Sequence, residues 1–551
     1  MKYTTLSGQL LKEMLINGAY ELENNKEYIN SLNVFPVPDG DTGTNMSATI
    51  MSAAEEIKAA DDTIESVANA ASMGSLMGAR GNSGVILSQL LRGIAKKLKE
   101  SDEIDTDVFA EALNEGVATA YRAVMKPTEG TILTVARESA EESMLYAQEI
   151  EDFEDFLVKV HEKAEETLSR TPDMLPALKQ AGVVDAGGKG LCLIYLGMIK
   201  RLQGKILSKD EGTSIKQEVK VDKTSVISNE IEFGYCTEFF IKTKNQNPDD
   251  FKNEILNFGD SLVVVGTEEL IKVHIHTNRP GDVINKAMKL GELSKIKIDN
   301  MREQHESIIS NESEENFHEK NSVSLDKVVI ETEKEYAMVA VAAGDGIVNI
   351  LKDLGVDFVI EGGQTMNPST HDILDAINSV NSNNVFVFPN NKNIIMAAEQ
   401  AREISDKNVI VIPTKSVPES ITSIISFNPE LSLEENISEM NEVIGSVKTG
   451  QITYAVRDTV FNDVEVKEGN YIGISAGNLI NSGESLKETA KNLVDSMVDE
   501  DSEIITIFYG NNTSEEEAFE VEGYIQEKCP SAEVSVNYGG QPIYYYILSV
   551  E

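Results

Sequence analysis

From Met1 to about Gly204 the apolar residues recur at helical spacing, as in Met46, Ile50, Ala53 and Ile57 or in Leu87, Leu90, Ile94 and Leu98. Gly, Pro and Asp clusters divide this pattern into roughly eight stretches. Residues 1–204 are therefore expected to be all-helical, and the polar segment Lys205 to Ser225 reads as a linker. Beyond it the period changes. GYCTEFFIKT alternates as a strand does, PDDFKNEILNFG has helical spacing, and SLVVVGTE and LIKVHIHT read as two strands. A helix near Gly281 to Leu290 then precedes the strand SKIKID. The order β-α-β-β-α-β predicts a ferredoxin-like α+β domain over residues 226–309. After a second polar linker, Ser310 to Lys327, strands and helical segments alternate: AMVAVAAG, DFVIEGG, VFVFPNN and VIVIPTK, then YIGISAG, IITIFYG, VSVNYGG and YYYILSV. That alternation predicts an α/β domain with a mainly parallel sheet over residues 328–551.

Length and composition agree with a folded multidomain chain. The 551 residues exceed the roughly 250 to 300 that a single core supports, and 41% hydrophobic with 25% charged residues is ordinary for globular proteins. A net charge of −44 repels phosphodiester backbones and anionic lipid, which argues against nucleic acid or a membrane surface as the main partner. The start MKYTTLSGQLLKEML lacks a basic segment followed by an apolar one, and no apolar run approaches about 18 residues. A cytoplasmic protein without stable membrane insertion is the expectation. Three widely spaced cysteines, Cys192, Cys236 and Cys529, are reduced thiols or metal ligands rather than a disulfide framework.

The densest chemical signal is NVFPVPDGDTGTNM. Asp39 and Asp41 stand two apart in a Pro- and Gly-punctuated loop, directly before an amphipathic helix that begins near Thr44. Two carboxylates suit a hard cation, while Gly40, Gly43 and the helix N-terminus suit an anion, so Mg²⁺ with phosphate satisfies both halves. An EF-hand shares the spacing but fails: its sixth position would be Thr44 instead of Gly, and its twelfth Ile50 instead of Glu. The competing reading is a turn in which the aspartates only cap a helix. MGARGNSGVILSQLLRG supplies a second glycine-punctuated helix start, with Gly78, Gly81 and Gly84 around Asn82 and Ser83. It is not a P-loop, and a close helix contact is its competing reading. VVDAGGKGL adds Asp185, Gly187, Gly188 and Lys189, and KPTEGTILTV adds Thr128, Glu129, Gly130 and Thr131.

These motifs resemble the ATP-binding subunit of dihydroxyacetone kinases, a helical barrel whose aspartates hold two Mg²⁺ ions under a nucleotide. The order PVPDGDTGTNM, ARGNSG, VVDAGGKG, HIHT and EGGQTMNPST resembles the bacterial fatty acid kinase ATP-binding subunit over nearly the whole chain. That resemblance implies phosphorylation of fatty acids presented by a separate acyl-binding protein, giving acyl-phosphates. It implies Asp39 and Asp41 as magnesium ligands; where the dihydroxyacetone kinase pattern has a third aspartate, this chain has Asn33, which coordinates through its carbonyl or only orients the loop. It implies Thr44 and Asn45 as phosphate or metal contacts, Gly81, Asn82, Ser83 and Gly84 as the nucleotide loop, and Thr131, Asp185 and Gly187 as part of the nucleotide site. Phosphoryl transfer needs positioning and charge neutralisation, and a carboxylate acceptor is ionised at neutral pH, so no general base is required.

In the middle segment Cys236 on the first strand and His274 and His276 on the third are candidates for Zn²⁺, a thiolate and two imidazoles with one position open. His305 is a candidate fourth ligand. The competing readings are a core cysteine beside exposed histidines, or a reactive thiol. In the last domain Gly362, Gly363, Gln364, Thr365, Asn367, Pro368 and Ser369 follow one strand and Asn390 and Asn391 the next, where open α/β sheets bind ligands. The resemblance makes this domain a docking surface for the acyl-binding partner. A ketose kinase and a nucleotide-sensing scaffold without catalysis are the alternative functions. The sequence leaves open whether the chain forms a homodimer.

Overall fold

The computed structural model describes residues 2–33, 41–101, 103–124, 126–209, 235–243, 251, 255, 258–266, 270–300, 334–363, 367–461 and 464–551. Asp39 and Gly40, His305, and Gln364 with Thr365 lie outside them. The chain divides into two compact units, one combining Met1–Ser214 with Val328–Glu551 and the other comprising Ile215–Lys327.

The first part of the larger unit is helical. Its described elements are α1 (Gly8–Glu23), α2 (Lys26–Asn30), α3 (Thr42–Ala59), α4 (Ile64–Met77), α5 (Gly81–Leu98), α6 (Thr106–Ala123), α7 (Ile132–Glu149), α8 (Phe153–Met174), α9 (Pro176–Ala181) and α10 (Ala186–Leu202). Side chains of Ser7, Thr63, Asp105, Asp152 and Asp185 cap α1, α4, α6, α8 and α10 by accepting from first-turn amides. The closing contact of the ring of helices, α1 against α10, needs glycine: a Cβ on Gly197 would lie 2.5 Å from the Asn17 carbonyl oxygen. The Asn17 amide donates to the Gly197 carbonyl at 2.8 Å, and the buried Glu21 carboxylate pairs with Lys200 at 2.6 Å. Inside, Phe109, Phe153 and Phe156 meet edge to face with centroids 5.8 to 6.4 Å apart, and leucines from α1 and α5 line an apolar cavity of about 50 Å³. Phe156 is fully buried. Phe156→Ala is expected to cost about 3 to 5 kcal/mol, measured as a lowered midpoint of urea unfolding.

The middle unit contains β1 (Tyr235–Thr243), β2 (Gly259–Gly266), β3 (Leu270–Thr277), α11 (Pro280–Ala287) and β4 (Gly291–Asn300). Its strands form an antiparallel sheet in the order β2-β3-β1-β4. Of the helix expected between β1 and β2 only Phe251 and Ile255 are described, so the ferredoxin-like reading remains an expectation. Ile271, Val273 and Ile275 pack in one buried cluster with Phe251, Ile255, Val283 and Ala287. The alternate positions of β3 carry His274 and His276, in register with Glu238 and Cys236 of β1.

The last part belongs to the larger unit. It begins with β5 (Tyr336–Ala342), α12 (Asp345–Asp353), β6 (Phe358–Glu361), α13 (Thr370–Ser379), β7 (Asn384–Phe388), α14 (Ile395–Ile404), β8 (Asn408–Val411), α15 (Val417–Ile425) and α16 (Leu433–Ile444). The four strands form a wholly parallel sheet in the order β6-β5-β7-β8. The elements β9 (Lys448–Tyr454), β10 (Thr459–Phe461), β11 (Val464–Val466), β12 (Tyr471–Ser475), β13 (Asn478–Gly483), α17 (Leu486–Met497), β14 (Ile504–Tyr509), α18 (Glu515–Lys528), β15 (Glu533–Tyr538) and β16 (Tyr546–Val550) follow. Here the expected parallel arrangement gives way to a mixed sheet, β13-β12-β9-β16-β14-β15, in which only β14 and β15 run parallel. The reason is local. Ala476 and Gly477 both take positive φ, 48° and 77°, which closes β12 and β13 into a tight hairpin, and β16 returns antiparallel between β9 and β14.

Candidate functional site

Three of the helices expected to meet a ligand start without a side-chain cap, whereas α10, also expected to, is capped by Asp185. Asp41 precedes α3, Arg80 precedes α5 and Thr131 precedes α7, and none of them caps its helix through its side chain; no first turn of the three carries an acidic residue. The positive end of the helix dipole is thus not offset by a carboxylate in the first turn, although Asn30 takes the Thr44 amide of α3 and Asp185 the Ile132 amide of α7. Glycines bring α3 and α5 together. Gly84 would place a Cβ 2.3 Å from Thr49 Oγ1, and Gly81, at φ +58°, would place one 2.4 Å from Asn45 Nδ2. Both positions demand hydrogen.

The first turn of α3 is held by a side-chain amide. Asn30 Oδ1 accepts from the Thr44 backbone N–H at 3.1 Å, and its Nδ2 donates to Thr44 Oγ1 at 3.0 Å. Thr44 is thereby turned onto α2. Thr42 Oγ1 donates to Asn33 Oδ1 at 2.6 Å, while Asn33 Nδ2 is buried without a protein partner, as is Asn82 Oδ1. In this orientation Asn33 offers the cleft a donor and Asn82 an acceptor.

Opposite these residues stands the carboxyl end of the parallel sheet. Asn33, Asp41, Thr42, Asn45, Asn82 and Ser83 on the helical side face Gly363, Asn390, Asn391, Lys392, Asn393 and Lys415 across a cleft of about 720 Å³. Direct bonds seal its edge. Asn82 Nδ2 donates to Asn393 Oδ1 at 3.3 Å, Asn367 Nδ2 donates to the Asp41 carboxylate, and Arg80 reaches the Asn367 carbonyl at 3.2 Å and Asp372 at 3.6 Å. Deeper in the interface Gln400 donates to Ser88 Oγ at 3.0 Å. Asn390 adopts φ 57° and donates through its side chain to the Val341 carbonyl; Asn391 donates to the Gly363 carbonyl.

Thr131, Asp185 and Gly187 gather elsewhere, where α7 and α10 begin, and do not line this cleft. Asp185 Oδ2 accepts from the Gly188 amide at 2.6 Å and also takes the Ile132 amide, so one carboxylate bridges two helix starts. Although a strip of its surface is exposed, protein encloses the group, and burial pushes its carboxyl up to about 6 against the pull of both amides. The sign follows: a raised carboxyl stabilises the fold fully below about pH 4, and this contribution is lost as pH rises through about 6. Asp185→Asn should abolish that slope, worth at most about 3 kcal/mol at ~1.4 kcal/mol per tenfold change in proton affinity; thermal unfolding from pH 4 to 7 checks it. Beside it, Glu129 accepts from Thr134 at 2.8 Å and Arg137 at 2.9 Å.

Asn30, Asn393, Lys392, Lys415 and Arg457 carry no local signal in the sequence that ties them to this cleft, whereas Asn367 stands among the residues expected after a strand to meet a ligand. In the described residues no helix is long and apolar enough to cross a membrane.

A helical domain with uncapped helix starts, facing the strand ends of an α/β domain, matches the DAK2 domain model over residues 36–200. Residues 232–308 and 337–551 match the middle and C-terminal domain models of the FakA-like fatty acid kinase family, and the chain belongs to that family. It is 46% identical to protein YloV of Bacillus subtilis over the full length of both. An uncharacterised protein of Staphylococcus aureus strain USA300 is 42% identical over 99% of each chain. Solved structures similar in part include dihydroxyacetone kinase from C. freundii in complex with AMP-PNP and Mg²⁺, at 19% identity over 35% of this chain and 34% of that one, with a TM-score of 0.28. Another is the Streptococcus pneumoniae fatty acid kinase B3 protein loaded with linoleic acid, at 13% identity over 40% of this chain and 99% of that one, TM-score 0.28.

Proposed function

We propose that the chain is the kinase component that transfers the γ-phosphoryl of Mg-ATP to the carboxylate of a fatty acid presented by a separate fatty-acid-binding protein. The observation that carries this reading is the convergence of Asp41, two uncapped helix starts and two lysines, Lys392 and Lys415, on one polar cleft. The residues suit the ligands proposed for them. Asp41, with Asp39, would hold the cation, and Gly81 and Gly84 let the start of α5 pack against Asn45 and Thr49 of α3, so that its amides would share the phosphate. Magnesium, when bound, would neutralise charge on the phosphates. Asn33 contributes a hydrogen bond to a phosphate oxygen rather than coordination, because its unpaired group is the N–H. Asn45 and Ser83 flank the phosphates, and Asn82 accepts from the nucleotide. Thr44, turned onto Asn30, positions the loop. Thr131, Asp185 and Gly187 brace the starts of α7 and α10 behind the site. The acceptor carboxylate attacks phosphorus, the bond to the β,γ-bridging oxygen breaks, and ADP leaves; no proton has to be removed. Lys392 and Lys415 offset charge on the acceptor side.

For the middle unit the same reading adds a structural Zn²⁺ on Cys236, His274 and His276 in a ferredoxin-like fold. Support comes from strand register, which aligns Asp260, His276, Cys236 and Asp299 across neighbouring strands. Metal analysis of the purified chain should find zinc, lost in Cys236→Ser. The kinase reading is tested by calorimetric titration with ATP: binding is expected with Mg²⁺ and not with chelator. Tight binding unaffected by Mg²⁺, with no turnover when an acyl-loaded partner is present, would favour a nucleotide-sensing scaffold.

A further inference from the structure

Beyond the helical side the cleft continues into the α/β domain, where Lys415, Ser416, Thr449 and Gln451 line it. Acidic residues outnumber basic ones by 92 to 48 in this chain, yet among the described residues Lys392 and Lys415 of this cleft form no ion pair. Two ammonium groups are therefore left to a ligand. Ser416 Oγ accepts from the Glu419 amide at 3.3 Å and shares a hydrogen bond with Thr449 Oγ1 at 2.8 Å. Whichever hydroxyl donates across that bond, the other keeps a proton that no described group accepts. One O–H is thus available in either case. Glu419 lines the same lobe, but its Oε2 accepts from the Lys415 amide at 2.6 Å, and burial raises its carboxyl, which favours the neutral form beside an anion. Next to these polar groups Val417, Ile474 and Ile547, otherwise buried, give the lobe an apolar wall.

Ammonium and hydroxyl donors beside an aliphatic wall suit an acidic head carried on a hydrocarbon chain; phosphate alone would leave the wall unused. We infer that this lobe is an acceptor subsite in which the chain itself holds the carboxyl end of the acyl group. Lys415 and the Ser416–Thr449 hydroxyl pair take the carboxylate, and the first methylenes lie against Val417, Ile474 and Ile547. The inference rests on the kinase reading above and deepens it, because the partner would then supply the acyl chain while this chain selects the reacting group. The same donors meet more negative charge once the carboxylate has become an acyl-phosphate, so the product head should bind more tightly than the substrate head.

The test is calorimetric titration of the full chain, loaded with Mg-ADP and without any partner, by 2-oxoheptylphosphonate. This probe keeps the shape of a six-carbon acyl-phosphate and replaces the cleavable oxygen by CH₂. Saturable binding with ADP still bound is expected, and 2-oxopropylphosphonate should bind at least about 4-fold more weakly, the worth of one buried methylene. Lys415→Met is expected to weaken binding about 10-fold, as loss of a charge-assisted hydrogen bond does. Ser416→Ala and Thr449→Val should each cost little, since the remaining hydroxyl is then free to donate, whereas the double variant should lose about 10-fold. Because Ser416 also caps α15, the unfolding temperature of each variant separates lost binding from lost folding. No phosphonate binding by a wild type that binds Mg-ADP, displacement of ADP by the phosphonate, or equally tight binding of inorganic phosphate would each overturn the subsite and leave the Mg-ATP reading standing. So would unchanged phosphonate affinity in Lys415→Met and the double variant. A wild type that binds no Mg-ADP would overturn the Mg-ATP reading, and with it the assignment of this lobe to an acceptor.

Discussion

Asp41→Ala will weaken Mg²⁺-dependent ATP binding by about 100-fold or more, at least the upper end of what loss of an outer supporting residue costs. Phosphoryl transfer falls with it. Asp41 directly precedes α3, it lines the helical side of the cleft together with Asn82 and Ser83 at the uncapped start of α5, and its neighbour Asn367 is a neutral amide that supplies no second carboxylate. Asp41 makes no side-chain cap to α3 but accepts from Asn367, so stability should fall by about 1 kcal/mol, the worth of a hydrogen bond. Calorimetry of binding and of unfolding on the same protein separates the two effects. Retained Mg²⁺ dependence in this variant would remove the loop from the site.

Gly81→Val carries the second large effect. At φ +58° a β-branched residue is strained by about 1 to 2 kcal/mol, and its Cβ would fall 2.4 Å from Asn45 Nδ2. Asn45 or the start of α5 must move by about 1 Å, a displacement that typically costs on the order of 100-fold in rate when catalytic groups are misplaced. Gly182→Ala is the matched control: Gly182 has φ +65° but open space around its Cβ position, so it should lose stability and keep activity. Steady-state kcat/KM for both variants, beside their unfolding temperatures, decides between collision and strain.

Much of this was legible in the chain. Asp41 and Asn82, which line the cleft, are marked by local spacing, because each stands beside glycines at the start of a helix. Strands β5 and β7 were readable as short apolar runs buried on both faces. Contacts made through the tertiary fold were not. Asn367, marked in the sequence only as one of several residues following a strand, reaches Asp41, and Arg457, in a stretch that reads as an ordinary turn, reaches the carbonyls of Ser31 and Asn33. Asn30 sits on the five-residue α2, too short to show a period. The strands β9 and β13, KTGQITY and NLINSG, are rich in turn-forming residues, so their antiparallel pairing with β16 and β12 was hidden and the second sheet read as parallel. Asp185 was singled out correctly as a helix-start residue, but only the fold shows that it braces α7 and α10 away from the cleft.

The central claim is transfer to a carboxylate, and the direct measurement is ³²P transfer from γ-labelled Mg-ATP to a fatty acid, with and without the acyl-binding protein. Label in acyl-phosphate only when wild type and loaded partner are both present is the predicted result, with none from Asp41→Ala. Label on dihydroxyacetone, or nucleotide binding with no transfer to any acyl substrate, would contradict it.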